Sequence, residues 1–230
     1  MGHPGTDAMT SFINSAKSDG IVVIVNNNNL PGTGLSYFGL DNYGAGRNLA
    51  SMTIADGNLG SNDTVLVYGA FIEGAPGADV AKGAVDVLTD AGIAFDTLQW
   101  SNEAVADPSL SVPVMVAYLE TNPNTKAIIV PGHGGITAVL DKALKDAGKA
   151  PGSVITSGFD ISPGAIQGVK DGYITTVLDQ QPYLQGFLPV IAAVLEKKYG
   201  LGGLFLNTGG GSLNQGNVDT LQALIATGLR

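Results

Sequence analysis

The stretch of residues 154–186 constrains the fold most strongly, because it reads as a strand, a helix and a second strand in succession. Its two apolar runs, residues 154–159 and 173–178, are rich in the β-branched and aromatic residues that favour strands. Between them, Ser162-Pro163 is typical of the start of a helix and Asp171-Gly172 of its end. A connection of this length favours a parallel, right-handed crossover, so both strands should end at the same edge of one sheet.

Two polar side chains follow these strands, Asp160 after the first and Gln180 after the second. Ligands of open α/β sheets bind beyond the carboxyl ends of the strands, so we expect the carboxylate and the amide to converge on one crevice. Such a pair can make several hydrogen bonds to a neutral polyhydroxylated ligand. The alternative is that Asp160 stabilises the following turn and Gln180 faces solvent, because Asx turns are common after strands.

The rest of the chain alternates between strand and helix patterns, which predicts βαβ units and parallel sheets flanked by helices. Strands are predicted at residues 21–25, 36–40, 65–68, 94–100, 127–130 and 205–207, and helices at 6–18, 41–56, 77–91, 111–120, 137–147 and 182–199. The three glycines at 209–211 predict a flexible loop. The sequence therefore predicts an α/β protein.

Composition narrows the function classes. Hydrophobic residues make up 44% of the 230 residues and charged residues only 13%, which indicates a well-buried protein. The net charge of -9 argues against nucleic-acid binding, because phosphates need a basic surface. Cysteine is absent, and the two histidines have no acidic cluster beside them, so we expect no metal site. No apolar run is long enough to span a membrane, and residues 1–4 do not resemble a signal peptide.

Enzyme signatures are also missing from the sequence. The GxGxxG, Walker A and GxSxG patterns do not occur in their proper context. We therefore expect no catalytic residues and no cofactor.

The combination of GFD ending at Asp160, SPG at residues 162–164, KDG at 170–172 and DQQPYLQG at 179–186 resembles the sugar-binding type I periplasmic binding proteins, in their ribose-binding group. The resemblance implies two lobes. Residues 41–180 with 205–230 would form a complete C-terminal lobe, and residues 1–40 with 181–204 a partial N-terminal lobe. The lobe is partial because the family has further strands and helices before the segment that matches residues 2–8.

The same resemblance implies a set of ligand contacts. Asp160 and Gln180 match contact positions of the family, and His133 follows a strand at another. Asn27 and Asn28 fall where family members bind sugar hydroxyls, while Trp100 and Phe159 offer aromatic faces for a sugar ring. The structural alternatives are loop polarity for the asparagines, a structural or exposed loop role for His133, and burial for Trp100.

The function implied by the resemblance is binding of a sugar, or a related polyhydroxylated molecule, for an ABC import system. The ligand would be captured between the lobes and presented to a membrane permease, in the periplasm or outside the cell. A partial lobe exposes an apolar face and an unpaired strand edge, so we also predict self-association or a partner chain. The alternatives are the effector-binding core of a LacI-type regulator, which needs a helix-turn-helix, and a small α/β enzyme acting on a sugar or nucleotide.

Overall fold

A computed structural model describes residues 6–27, 33–75 and 77–229 of the chain. Asn28 therefore lies outside the described residues. The helices are α1 (Thr6–Ser18), α2 (Asn42–Gly57), α3 (Ala78–Asp90), α4 (Asn102–Ala106), α5 (Ser111–Thr121), α6 (Gly134–Thr137), α7 (Leu140–Asp146), α8 (Pro163–Lys170), α9 (Pro182–Tyr199) and α10 (Val218–Ile225). The strands are β1 (Ile24–Asn26), β2 (Ser36–Gly39), β3 (Thr64–Gly69), β4 (Ala94–Gln99), β5 (Ala127–Ile129), β6 (Ile155–Phe159), β7 (Thr176–Asp179), β8 (Phe205–Asn207) and β9 (Gly211–Asn214).

The chain divides into two compact units. The described residues up to Leu40, together with Gln181–Gly209, form the first unit, and Asp41–Gln180 with Gly210–Leu229 form the second. The predicted α/β class, with mostly parallel sheets and flanking helices, is confirmed. Within the described ranges, no helix combines the length and the apolar character that crossing a bilayer requires.

The first unit contains a parallel sheet in the order β1-β2-β8. Strand β2 is buried along its whole length, and the ring of Tyr37 on this strand stacks on Phe205 of β8 at 5.0 Å between centroids. A hydrogen bond connects the end of β1 to helix α9, because Asn26 Nδ2 donates to the carbonyl oxygen of Gln185 at 2.8 Å. Residues 205–230 were predicted to belong to the C-terminal lobe. That placement is wrong for β8, because β8 pairs with β2.

The second unit contains a six-stranded sheet in the order β4-β3-β5-β6-β7-β9. All neighbours pair in parallel except β9, which runs antiparallel to β7. Helices pack on the sheet around a large core that includes Leu66, Met115, Ile128, Ile136 and Leu144. The five predicted strands of this unit, at residues 65–68, 94–100, 127–130, 154–159 and 173–178, all exist.

Three features of the second unit differ from the predictions. Residues 137–147 do not form one helix, because α6 ends at Thr137 and α7 begins at Leu140. The glycine run at 209–211 is not wholly a loop, since Gly211 begins β9, whose backbone pairs with β7. Helices α4 and α10 were not predicted at all.

Candidate functional site

The crossover from β6 through α8 to β7 places the two central polar residues of the site. Strands β6 and β7 are parallel neighbours, with Phe159 opposite Leu178, and the backbone N–H of Asp160 donates to the carbonyl oxygen of Leu178 at 3.0 Å. The side chain of Ser162 caps α8 by accepting from the N–H of Ala165 at 3.2 Å, and Pro163 occupies the first turn. Both strands therefore end at the same edge of the sheet, as predicted.

At this edge, the side chains of Asp160 and Gln180 meet. Gln180 Nε2 donates a short hydrogen bond to Asp160 Oδ1. The expected convergence of the carboxylate and the amide is therefore present in the structure. The backbone of Asp160 adopts φ +64°, a left-handed conformation that few residues other than glycine, asparagine and aspartate adopt. Nothing in the geometry resembles the alternative in which Gln180 only faces solvent.

The carboxyl group of Asp160 lies in a desolvated environment. Burial raises its pKa above the usual value, while the hydrogen bonds from Gln180 and from the backbone N–H of Gly134 act in the opposite direction. Gly134 must be a glycine here, since a Cβ at this position would lie 2.5 Å from the Cβ of Asp160. A partly desolvated carboxylate is a strong hydrogen-bond acceptor, and it has room for more than two donors.

His133 caps the N-terminus of α6, the helix that begins with Gly134 beside Asp160. Its Nδ1 accepts from the backbone N–H of Ile136 at 3.1 Å, which makes His133 the N-cap of α6, and the ring also hydrogen-bonds to the backbone of Val105. Burial lowers the pKa of His133, which favours the neutral ring that this cap needs. A hydrogen bond from His133 to a ligand stays a prediction, and it would replace one of these two bonds.

Both predicted aromatic contacts are buried, which for Trp100 was the structural alternative. Trp100 follows β4 and is 6% exposed, with its ring edge-on to His133 at 5.5 Å and to Tyr68 at 6.3 Å between centroids. Phe159 is only 2% exposed, so the structure gives its ring no open face for a sugar, contrary to the expectation. The ring of Phe159 packs in the core because every residue of β6 from Thr156 to Phe159 is buried.

Phe71, which follows β3 at the same edge of the sheet, was not among the predicted site residues. Its ring is 37% exposed, and its backbone N–H donates to Gln99 Oε1 at 2.6 Å. Phe71 therefore offers the aromatic surface that Phe159 does not. Its position just after a strand of a parallel sheet was the signal that could have identified it.

Asn27 belongs to the first unit. It is exposed, has φ +61°, and its backbone N–H donates to the carbonyl oxygen of Phe38 at 3.1 Å. Its role as a ligand contact, like that of Asn28, stays a prediction.

Four of the predicted residues thus form one connected group, which we call the carboxyl-edge row: Trp100, His133, Asp160 and Gln180. The row contains an indole, a neutral imidazole, a carboxylate and an amide, and it contains no lysine or arginine. This chemistry suits hydroxyl groups better than phosphate or carboxylate groups. Among the residues that the structure describes, no group of three or more metal-ligating side chains occurs.

Comparison with known proteins identifies several similar chains. The family model described as "Periplasmic binding protein domain" matches residues 3–198. The xylose/arabinose-binding protein XylF of Sulfolobus acidocaldarius is 36% identical over 83 residues, which are 34% of this chain and 20% of XylF. The match therefore spans about a fifth of the length of that curated relative.

Solved structures show the same fold. A carbohydrate transporter from Acidothermus cellulolyticus, in complex with myo-inositol, has a TM-score of 0.76 and 23% identity, over 99% of this chain and 77% of the other. A periplasmic ribose ABC transporter from Conexibacter woesei has a TM-score of 0.77 and 22% identity, over 94% of this chain and 72% of the other.

Proposed function

We propose that this chain, which belongs to the family of periplasmic binding protein domains, binds a sugar or a related polyhydroxylated small molecule for an ABC import system. The observation that carries the proposal is the contact between Asp160 and Gln180 at the carboxyl edge of the larger sheet. The resemblance read from the sequence is confirmed by the family match. The named ligands of similar proteins, xylose and arabinose for XylF and myo-inositol in the Acidothermus structure, are all neutral polyols.

The arrangement of the row supports this ligand class. A sugar ring presents adjacent hydroxyl groups that donate and accept within one plane, and Asp160 can accept from two of them. The bond to Gln180 holds the carboxylate in one orientation before the ligand arrives, which reduces the entropy lost on binding. Because the row contains no lysine or arginine and the carboxylate of Asp160 repels phosphate, we expect neutral sugars to bind more tightly than sugar phosphates.

Isothermal titration calorimetry against pentoses, hexoses and inositols tests the proposal. We expect at least one neutral polyol to bind, and Asp160→Ala to weaken that binding by about tenfold or more, since a hydrogen bond to a charged group contributes roughly 1.5–3 kcal/mol. Asp146→Ala is the matched control, because Asp146 is an exposed aspartate that pairs with Lys142 on α7. Unchanged affinity in Asp160→Ala would remove Asp160 from the site, and a panel without any binding would contradict the function.

The finer parts of the proposal concern chemistry, partner and location. We propose binding without turnover, so ligand extracted from the complex should be chemically unchanged by NMR, whereas product would favour the sugar-enzyme alternative. The Conexibacter structure is named as a periplasmic ribose ABC transporter and the Acidothermus structure as a carbohydrate transporter, which supports a membrane permease as partner. The same family supports a periplasmic or extracellular location. No observation on the described residues favours the LacI-type alternative.

The first unit supports a further partner. Its α9 carries an exposed apolar stripe, Phe187, Val190, Ile191 and Val194, at the spacing by which helices pair with one another. This stripe borders a groove of about 540 Å³, in which Val190 and Val194 face Ile21 and Val22. Strand β8 adds Phe205, which is 61% exposed. Exposed apolar patches of this kind mark interaction surfaces.

We propose that a second copy of this chain covers the stripe on α9. A stripe of identical side chains can pair with itself about a two-fold axis, which is the commonest symmetry of homodimers. Light scattering during size-exclusion chromatography should therefore give at least a dimer, and Val190→Glu should give a monomer. Val114→Glu, at an exposed valine of α5 in the other unit, is the control and should leave the mass unchanged. A wild-type monomer at every concentration would contradict self-association and would favour a different partner chain.

A further inference from the structure

A cavity of about 510 Å³ lies in the second unit, at the opposite edge of the sheet from the carboxyl-edge row. Ile155 and Thr176, which begin β6 and β7, line it, whereas Asp160 and Gln180 follow the ends of these strands. The turn after β9 forms another wall. A volume of this size is within the range of small-molecule sites.

We call this space the amino-edge cavity, since it lies where strands β6 and β7 begin. Its polar groups make only some of the hydrogen bonds of which they are capable. Asp56 Oδ2 accepts from the hydroxyl of Thr176 at 2.8 Å, and its other carboxylate oxygen has no partner among the described residues. Gln215 Nε2 donates to the carbonyl oxygen of Val169 at 3.3 Å, which leaves Oε1 without a described partner. The walls thus offer two acceptors, one of them charged.

Two donors complete the cavity. Asn214 Oδ1 accepts from the backbone N–H of Gly216 at 2.9 Å, and the NH₂ of the same amide has no partner among the described residues. The hydroxyl oxygen of Thr175 accepts from the N–H of Thr156 at 3.2 Å, so its own proton can be donated elsewhere. These two donors suit a hydroxyl oxygen of a ligand.

Charge decides which ligands the cavity favours. Asp56 is the only ionisable side chain among the residues that line it, and all of these residues are described. The net charge of the chain, -9, has the same sign. Pro151, Ile155 and Ile174 add an apolar surface. Anions are therefore disfavoured, and a cation with a short carbon chain matches the walls.

We propose that the amino-edge cavity binds a small organic cation that carries a primary ammonium group. The ammonium donates to the free oxygen of Asp56 and to Gln215 Oε1, and the carbon chain packs on Ile155 and Ile174. The oxygen of a hydroxyl group at the far end accepts from both Asn214 and Thr175. The site does not depend on the proposed sugar site, because the two use different residues at opposite edges of the sheet.

Heteronuclear NMR of the full chain tests the proposal with a matched pair of probes, 3-aminopropan-1-ol and propane-1,3-diol. We expect the amine to give saturable shifts at the backbone amides of Thr175, Asn214 and Gly216, and the neutral diol to bind about tenfold more weakly or worse. Absence of saturable shifts at these amides, or equal affinity for the two probes, would overturn the proposal.

Two variants locate the effect. Asp56→Asn keeps an oxygen for Thr176 but removes the charge, so the affinity for 3-aminopropan-1-ol should fall about tenfold. Asp90→Asn removes a charge that is also exposed, at the end of α3 and outside the cavity, and should leave the affinity unchanged. Asn214→Ala preserves Asp56 and should lower the affinity for 3-aminopropan-1-ol. It should leave the affinity for putrescine unchanged, because putrescine has no hydroxyl group. Equal affinities in Asp56→Asn and Asp90→Asn would contradict the assignment.

Discussion

Replacing Gly83 by alanine tests how closely helices α2 and α3 pack in the second unit. Two glycines allow their backbones to meet, Gly46 on α2 and Gly83 on α3. A Cβ at residue 83 would lie 3.0 Å from the backbone nitrogen of Arg47 and 3.1 Å from the carbonyl carbon of Tyr43, and closer still to the oxygen of that carbonyl. These atoms belong to backbone, so they cannot rotate away as a side chain could.

Two opposing contributions determine how much Gly83→Ala lowers the free energy of unfolding. Alanine is the better helix former by about 1 kcal/mol. Overpacking a tight interface costs about 1–3 kcal/mol, and moving the helices apart also weakens dispersion contacts of buried neighbours such as Leu49, Ala50 and Ala84. Because the obstructing atoms are backbone, we expect the upper end of this range and a net loss of about 2 kcal/mol. For a chain of this size the melting temperature should fall by roughly 4–8 °C.

Thermal and chemical unfolding measure this loss. Gly186→Ala is the matched control, since Gly186 also lies inside a helix, α9, but a Cβ there would meet no atom within 4 Å. This control should be neutral or more stable by up to about 1 kcal/mol. If Gly83→Ala proves as stable as Gly186→Ala, the close approach of α2 and α3 does not exist in solution.

Substitutions at three positions test the carboxyl edge and one helix end. Asp160→Asn should raise the melting temperature of the ligand-free protein at neutral pH, because burial raises the pKa of Asp160 and its ionisation therefore opposes folding. The stability conferred by the protonated carboxyl is fully present below the ordinary aspartate pKa of the unfolded chain. It is lost as the pH rises from there through the raised pKa of the folded protein, so the difference between variant and wild type should vanish in acid. Scanning fluorimetry across pH checks this, and a wild type that is more stable than the variant at neutral pH would contradict it. His133→Ala removes the N-cap of α6 and should lower the free energy of unfolding in urea by about 1 kcal/mol, whereas His133→Asn should retain most of that free energy. Equal losses in the two variants would show that His133 does not act as a cap. Asn58→Ala should cost about 1 kcal/mol in the same assay, because Asn58 ends α2 with φ 46°, whereas Asn58→Gly should match wild type; an undamaged alanine variant would refute this reading of the turn.

Most of the second unit could be predicted because its signals are local. Strands β3 to β7 alternate with helices along the chain, β3 and β5 are short apolar runs, and Ser162-Pro163 marks the start of α8 as in the structure. Strand β9 carries no such signal, since Gly211–Asn214 contains one apolar residue, Leu213. It is a strand because its backbone pairs with β7, which is distant in the sequence. Long-range pairing of this kind cannot be read from four residues.

Site residues could be predicted where strand topology alone determines their position. They could not be predicted where the position depends on the direction of the side chain. Asp160 and Gln180 meet because they follow neighbouring parallel strands. Phe159 was expected beside a ligand, but it is buried. Every residue of β6 from Thr156 to Phe159 is covered, so the sequence pattern of this strand does not separate an exposed face from a buried one. Capping by His133 was equally hidden, since it depends on the turn that Gly132 makes with φ +88°.

The conformation of Asp160 is itself an argument for a binding role. Its left-handed φ and the burial of its carboxylate both oppose folding, and the nearby carboxylate of Asp179 raises its pKa further. If only the turn after β6 mattered, asparagine would adopt this conformation more readily and would bring no charge. The bonds from Gln180 and Gly134 hold the carboxylate in place without removing its cost. A strained, desolvated acceptor at the carboxyl edge of a parallel sheet is therefore explained best by a ligand that supplies further donors. Asp160→Asn should accordingly be more stable than wild type without ligand and should bind the ligand more weakly. A variant at this position with both higher stability and higher affinity would show that the unfavourable conformation and burial of Asp160 do not serve ligand binding.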